Sequence, residues 1–377
     1  MNNTFFIFYM LSEIGSNFWI SPNQGKEGKQ LGAPFLFGYH GTDYVWMSTG
    51  RSATRLVLQT IEERNPKCKK VALLPSFTCH TVFEPFMDFD YEIHSLPLNQ
   101  DLSTNAEEIV RYQEKFDAGV VLVHRYYGFD TLPYFNIVVE TLQKKGVIVI
   151  EDCTHCLYSG FAISSADYVV ASIRKWCGVP DGGFAICKDG HLFCKPILVD
   201  KEMVEAKRIA SELKYQFLFE GKGDKPTFKA KYREAEELLD NQNKYYAIGR
   251  LSAAIQAELN VKLLKKKRRD NYKVLMEGIR NVAGIKVIFD TFPDDVVPLY
   301  FPILVEDREE IQTLLADNDI YAPIVWPKAG NCPMIGDIAN SIYKKILCIP
   351  IDQRYGRDDM QRIVSVIKVK KDKNIFV

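Results

Sequence analysis

Four short apolar runs, each ending abruptly in polar residues, constrain this chain more than any other feature. Val71 to Leu74 runs into Pro75-Ser76-Phe77-Thr78, Val120 to Val123 into His124, Val147 to Ile150 into Glu151-Asp152, and Tyr168 to Ala171 into Ser172. β-Branched runs of this length are strands buried on both faces. Helices of crossover length are predicted between them, over about 79–88, 105–116 and 133–145. The alternation specifies an α/β fold with a largely parallel sheet. Ligands in such sheets bind beyond the carboxyl ends of the strands, and the polar residues just named all fall at that edge.

Beyond Gly183 the character changes to charged helical stretches: Lys201 to Tyr215, Lys229 to Leu239, and one long helix from about Leu251 to Ile279. Leu251, Ile255, Leu259 and Leu263 recur every four residues as a single apolar stripe. The last part reads as strand Leu299 to Val305, helix Arg308 to Ala316, strand Ile320 to Val325 and closing helix Arg357 to Ile367. A chain of 377 residues that is 47% apolar builds a large core. The expected division is a large domain over 1–250, then a long connecting helix and a small α/β domain over 251–377.

Basic and acidic residues balance at 48 each, so no net field marks a partner of nucleic acid or anionic membrane. Nine irregularly spaced cysteines read as a reduced, cytoplasmic protein rather than a disulfide scaffold. Met1 to Met10 is apolar but short and lacks a basic leader, which fits neither a signal peptide nor a membrane span.

The chemistry gathers at the strand ends. Lys175 follows Ser172 as Ser-x-x-Lys, and Asp152 ends the preceding apolar run. This order suits pyridoxal 5'-phosphate (PLP), which needs a lysine amine for its aldehyde, a carboxylate to keep its pyridine nitrogen protonated, and hydroxyl and backbone donors for its phosphate. Asp152 would hold that nitrogen's proton, whereas Glu151 points to the other side of the strand. Ser48-Thr49-Gly50-Arg51-Ser52-Ala53 opens an amphipathic helix whose free amides favour a phosphate; taken alone it is an ordinary Ser/Thr cap. His155 reads either as a neighbour of the cofactor ring or as a core histidine. His80 reads either as a ring-stacking residue or as a helix start, and His124 as part of the site wall.

Competing patterns are weaker. A penicillin-binding Ser-x-x-Lys wants Ser-Asp-Asn and Lys-Thr-Gly downstream, and neither is present. Cys153 and Cys156 form one Cys-x-x-Cys without a second pair at metal-ligand spacing, so no metal is expected. The basic run Lys265 to Arg269 reads as a solvated helix face. The Gly-x-Gly-x-x-Gly dinucleotide fingerprint is missing.

With these residues in place, the chain resembles the DegT/DnrJ/StrS family of PLP-dependent sugar aminotransferases, of the aspartate-aminotransferase-like fold type I. The resemblance rests on Gly50 to Ala53, Pro75 to Thr78, His124 to Gly128, Glu151-Asp152 with His155, and Ser172 to Lys175 before Gly182-Gly183. It implies a large domain with a mostly parallel mixed sheet flanked by helices and a small C-terminal α/β domain. It implies Lys175 and Asp152 as catalytic residues, Gly50, Arg51, Ser52 and Ser172 at the phosphate, and His155 at the ring. It further implies a homodimer with shared active sites. Two departures stand out: Val179-Pro180-Asp181 replaces the Gly-Glu of the family's Gly-Glu-Gly-Gly, and Cys79 stands where an aromatic residue is common, which leaves His80 as the ring-stacking candidate.

The function expected is transfer of an amino group from an amino acid, glutamate first, to a keto sugar, nucleotide-linked, for amino-sugar or surface-polysaccharide synthesis. The alternatives are PLP-dependent elimination on a sugar and a non-catalytic descendant that binds a sugar nucleotide or a protein.

Overall fold

The computed structural model describes residues 13–161, 164–242, 244–328 and 336–373, so the run from Met1 to Met10 lies outside it. After β1 (Ile14–Gly15) the chain forms β2 (Asp43–Met47), α1 (Gly50–Arg64), β3 (Val71–Pro75), α2 (His80–Asp88), β4 (Glu92–Leu96), α3 (Ala106–Phe116), β5 (Val120–His124), α4 (Phe135–Lys144), β6 (Ile148–Asp152), β7 (Tyr168–Ser172) and β8 (Gly183–Cys187). Strands β2 to β8 make one seven-stranded sheet in the order β2-β8-β7-β6-β5-β3-β4. Strands β4, β3, β5, β6 and β7 run parallel, and β8 is antiparallel to both β7 and β2. The α/β class with a mostly parallel mixed sheet is therefore as the sequence predicts.

Burial on both faces explains the strand compositions. Val120 and Leu122 of β5 pack with Leu56 and Val57 of α1 and with Phe86 of α2, while Val121 and Val123 pack with Val139 and Leu142 of α4. Alternate residues thus feed two apolar layers, and no polar residue fits before the strand ends.

The second half comprises α5 (Lys201–Tyr215), extended by a π-helical turn at Gln216–Glu220, then α6 (Lys225–Asp240), α7 (Arg250–Glu258), α8 (Val261–Ile279), β9 (Ile285–Val287), β10 (Phe301–Val305), α9 (Arg308–Ala316), β11 (Ile320–Tyr321), α10 (Asp337–Lys345), β12 (Ile346–Ile349) and α11 (Arg357–Lys373). Strands β12, β10 and β9 form a small antiparallel sheet, and β11 pairs in parallel with β1.

Two expectations need correction. The single helix from Leu251 to Ile279 is two helices. Leu259 is extended, and the Asn260 side chain accepts from the Leu263 amide to start α8. That cap outweighs the apolar periodicity, and Leu263 is exposed. The strand expected from Ile320 to Val325 is only β11, which pairs with β1 outside the small sheet. Strand β12 and helix α10 were not anticipated, although Ile346 to Ile349 is itself a fully buried apolar run.

Beneath the sheet edge lies a buried ion pair. Arg125 donates to Glu151 at 2.6 Å, with side chains only 3% and 2% exposed. Phe135 and Phe161 lie against the guanidinium at 5.1 and 4.5 Å, so little water reaches either charge. Glu151, on the face opposite to Asp152, is thus part of the scaffold. Removing Glu151 would leave the buried guanidinium only the half-exposed Asp130, at 3.6 Å. Glu151→Ala is expected to cost about 3–5 kcal/mol in urea unfolding; a loss below about 1 kcal/mol would mean that Arg125 finds another partner.

Candidate active site

The site is assembled where strands β3, β5, β6 and β7 end and α1 begins. Register places His124 of β5 opposite Asp152 of β6, and Ser172 of β7 opposite Gly183 of β8, which in turn faces Met47 of β2. A Cβ at Gly183 would lie 2.4 Å from the Thr49 carbonyl carbon and 2.7 Å from the Ala171 oxygen. Only glycine lets the start of α1 close on the end of β7. The Gly182 amide, at φ +139°, fastens the same junction by donating to the Ser48 carbonyl at 2.6 Å.

Thr49 is the cap of α1: its hydroxyl oxygen accepts from the Ser52 amide at 2.9 Å and donates to the Ser52 hydroxyl at 3.0 Å. The amides of Gly50 and Arg51 belong to the first turn, where no intrahelical acceptor exists. The Arg51 guanidinium is engaged by Glu84 at 2.7 Å, Asp240 at 3.2 Å and the Leu239 carbonyl at 2.8 Å.

A cavity of about 310 Å³ opens at this junction. Of the residues singled out in the sequence, Gly50, Arg51, His80, Asp152, His155, Ser172 and Lys175 line it, together with His124. Ser52 does not; it is buried against Thr49. A second cavity of about 670 Å³ shares Ser172, Arg174, Lys175 and Glu236 with the first and extends to Tyr300, Lys229 and Arg354.

Hydrogen bonds fix the inner wall. The Thr154 amide donates to Asp152 at 2.9 Å, and the Thr154 hydroxyl accepts from the Ser172 amide at 3.0 Å, tying the ends of β6 and β7 together. Burial raises the Asp152 carboxyl above its ordinary range despite the Thr154 hydrogen bonds and the nearby Lys175 charge. Burial lowers the Lys175 amine, aided by Arg174 and opposed by Cys79 and Asp152.

Lys175 Nζ lies 3.2 Å from His155 Nε2. His155 Nδ1 accepts from the Tyr127 amide at 3.4 Å, so the neutral ring carries its proton on Nε2. A hydrogen bond from that Nε2–H to Lys175 forms when the amine is neutral, the state toward which burial pushes it. Burial, Lys175 and His124 all push the His155 pKa well down. Burial and Lys175 likewise bring His124 down to about 3, so the inner wall holds two uncharged imidazoles.

His80 sits at the rim. It lies 3.9 Å from the Cys79 sulfur and 3.6 Å from Glu84, and the Cys79 contact raises its pKa. Cys153 and Cys156 are buried thiols that donate to the Val170 and Arg125 carbonyls.

Several lining residues escaped sequence reasoning. Thr154, between Asp152 and His155, was accessible to it as a short polar residue inside a motif already marked. Glu236 and Asp240, spaced i, i+4 on α6, meet Arg174 and Arg51 and carried no local signal. Trp326 reaches the cavity from the segment after β11 and had none either.

No family model matches the sequence, and no curated protein sequence matches it. Solved structures match over nearly the whole chain. PseC of Helicobacter pylori, an aminotransferase involved in the biosynthesis of pseudoaminic acid, is similar with a TM-score of 0.68 at 12% identity, covering 96% of this chain and 100% of its own. The likeness in fold extends to a DegT DnrJ EryC1 StrS aminotransferase from Brucella abortus, with a TM-score of 0.63 at 16% identity over 91% of this chain and 92% of that one. The fold is the one these aminotransferases share. AtS13 from Actinomadura melliaura adds a TM-score of 0.67 at 16% identity over 95% and 99%.

The geometry predicts the titration of Lys175. In competitive acetylation read by mass spectrometry, Lys175 should deprotonate at lower pH in the folded protein than in the urea-unfolded chain. Asp152→Asn removes a carboxylate that favours the cation and should lower that midpoint further; a midpoint that rises would contradict the arrangement.

Proposed function

We propose that this protein is a PLP-dependent aminotransferase that moves an amino group from an amino acid, glutamate first, to a keto sugar. The observation that carries the proposal is the convergence of Lys175, Asp152, Ser172 and the start of α1 on one cavity. The residues present fit the cofactor. A depressed lysine faces a carboxylate that burial has raised and that a cationic ring nitrogen would return to its ionised form. Gly50, whose Cβ would stand 3.3 Å from the Ser172 amide, keeps the phosphate end open to backbone donors.

When bound, the cofactor supplies an electron sink for the substrate carbon that loses its proton. In this proposal Lys175 would hold the cofactor at its aldehyde carbon and would act as the neutral base for the proton at the substrate carbon. Asp152 keeps the ring nitrogen protonated. His155 orients Lys175 through Nε2. The phosphate is assigned to the Gly50 and Arg51 amides and the Ser172 hydroxyl. The Arg51 guanidinium is already held by Glu84 and Asp240, and Ser52 is left out because it is buried and does not line the cavity.

The larger cavity beside Lys175 gives room for a sizeable acceptor. Glu236 and Asp352 on its wall already pair with Arg174 and Arg354, and the basic residues left over, Lys229 among them, suit an anionic one, in keeping with a nucleotide-linked sugar. No helix of the described residues is long and apolar enough to cross a membrane. A homodimer is part of the proposal and rests on the family resemblance, while a cytoplasmic location rests on the nine irregularly spaced cysteines.

Absorption spectroscopy tests the reading. Protein supplied with PLP should show a visible band that glutamate converts to that of the pyridoxamine form, and Lys175→Ala should abolish both the conversion and turnover. A band unmoved by glutamate would point to another donor or another PLP reaction, and no band at all would remove Lys175 from the role.

A further inference from the structure

Glu236 stands where the two cavities meet. It lines both of them, as do Ser172, Arg174 and Lys175. Its carboxylate faces two cations at once: Arg174 Nη2 lies 3.1 and 3.3 Å from its two oxygens, and the Lys207 ammonium contacts one of them. Lys207 reaches this point from α5 and lines the larger cavity, its ammonium 5.2 Å from the centre of the Tyr232 ring.

The charges in this cluster do not balance. Two cations share one carboxylate, and their burial is unequal: the side chains of Lys207 and Arg174 are 9% and 22% exposed, that of Glu236 46%. The other acids whose field reaches Arg174 are engaged elsewhere, Asp240 with Arg51, and Asp181 with the Gly249 amide and the Ser252 hydroxyl. Among the described residues, Glu236 is the sole hydrogen-bond partner of the Arg174 guanidinium and of the Lys207 ammonium. Arg174 thus uses one nitrogen of a group with five donors, and Lys207 one donor of three. Buried cations with donors to spare at a cavity wall favour a further anion, and a half-exposed carboxylate is the partner most readily exchanged for one.

We propose that Arg174 and Lys207 form the subsite for a carboxylate of the amino donor, and that Glu236 fills this subsite until the donor arrives. The inference rests on the aminotransferase reading above. Glu236 itself displays the chemistry, since the space between the two cations accepts a carboxylate. Its position suits a donor that reacts at Lys175: Arg174 is the preceding residue, and its charge already bears on the Lys175 amine. The arriving carboxylate takes over the charge-assisted hydrogen bonds, and Glu236 turns out to the solvent that already reaches it.

Calorimetric titration with glutarate, a dicarboxylate that has no amine to react, tests the subsite in protein supplied with PLP. Glu236→Gln should bind glutarate about tenfold more tightly than wild type, and adding Arg174→Gln to that variant should remove the gain. Asp240→Asn takes the same charge from the cavity but leaves Glu236 in place, and should shift the affinity by no more than about twofold. An equal gain in Asp240→Asn, or a Glu236→Gln gain that survives Arg174→Gln, overturns the subsite. A Glu236→Gln gain for uridine diphosphate with none for glutarate also overturns it, because the site would then belong to phosphate. The visible band of the wild type separates the two readings: its absence overturns the cofactor assignment and the donor role with it, whereas a contrary glutarate result with the band present overturns the subsite alone. If the double variant fails to fold, Glu236→Gln against Asp240→Asn decides.

Discussion

The missing side chain at Gly183 is the constraint on which the cavity depends. At that point three backbones meet: the end of β7, the start of β8 and the turn from β2 into α1. A methyl group there would collide with Thr49 and Ala171. Without this approach the amides that open α1 would stand away from Ser172. Asp181 reinforces the same loop from behind. Fully buried, its carboxylate accepts from the Gly249 amide at 2.9 Å and from the Ser252 hydroxyl, which binds the loop after Lys175 to α7.

Electrostatics follow from this closure. Burial works against the charges of the inner wall: it raises Asp152, lowers Lys175 and keeps His124 and His155 neutral. Solvent-exposed copies of the same residues would hold a protonated lysine beside an ionised carboxylate. In the fold they stand closer to neutrality, which is the state a lysine needs to act as nucleophile and base. The Arg125–Glu151 pair on the other side of β6 is arranged differently: its two side chains meet at 2.6 Å in the interior, with Phe135 and Phe161 packed against the guanidinium.

Much of the large sheet was legible because its signal is local. Val120 to Val123 and Tyr168 to Ala171 are buried on both faces, and such runs have no other home in a water-soluble α/β fold. The strand-end motif Asp152 to His155 and the Ser172 to Lys175 turn were legible for the same reason. Leu251 to Leu263 misled because periodicity does not see a cap; Asn260 stops one helix and starts another within an unbroken stripe. Nor does sequence say that Thr49 rather than Ser52 caps α1, since either hydroxyl has the chemistry of a cap.

The sequence by itself determined the layer architecture, the polar edge of the sheet and the identity of the lysine, acid and hydroxyl that stand there, because each depends on burial pattern and on neighbours a few residues away. Tertiary structure alone decided what surrounds them. Glu236 and Asp240 reach the arginines from α6, and Trp326 reaches Lys175 from beyond β11, through contacts between segments far apart in the chain. Such contacts leave no periodicity and no spacing to read; they are set by how the second half of the chain packs over the strand ends, where burial and pairing of whole elements choose the side chains that meet.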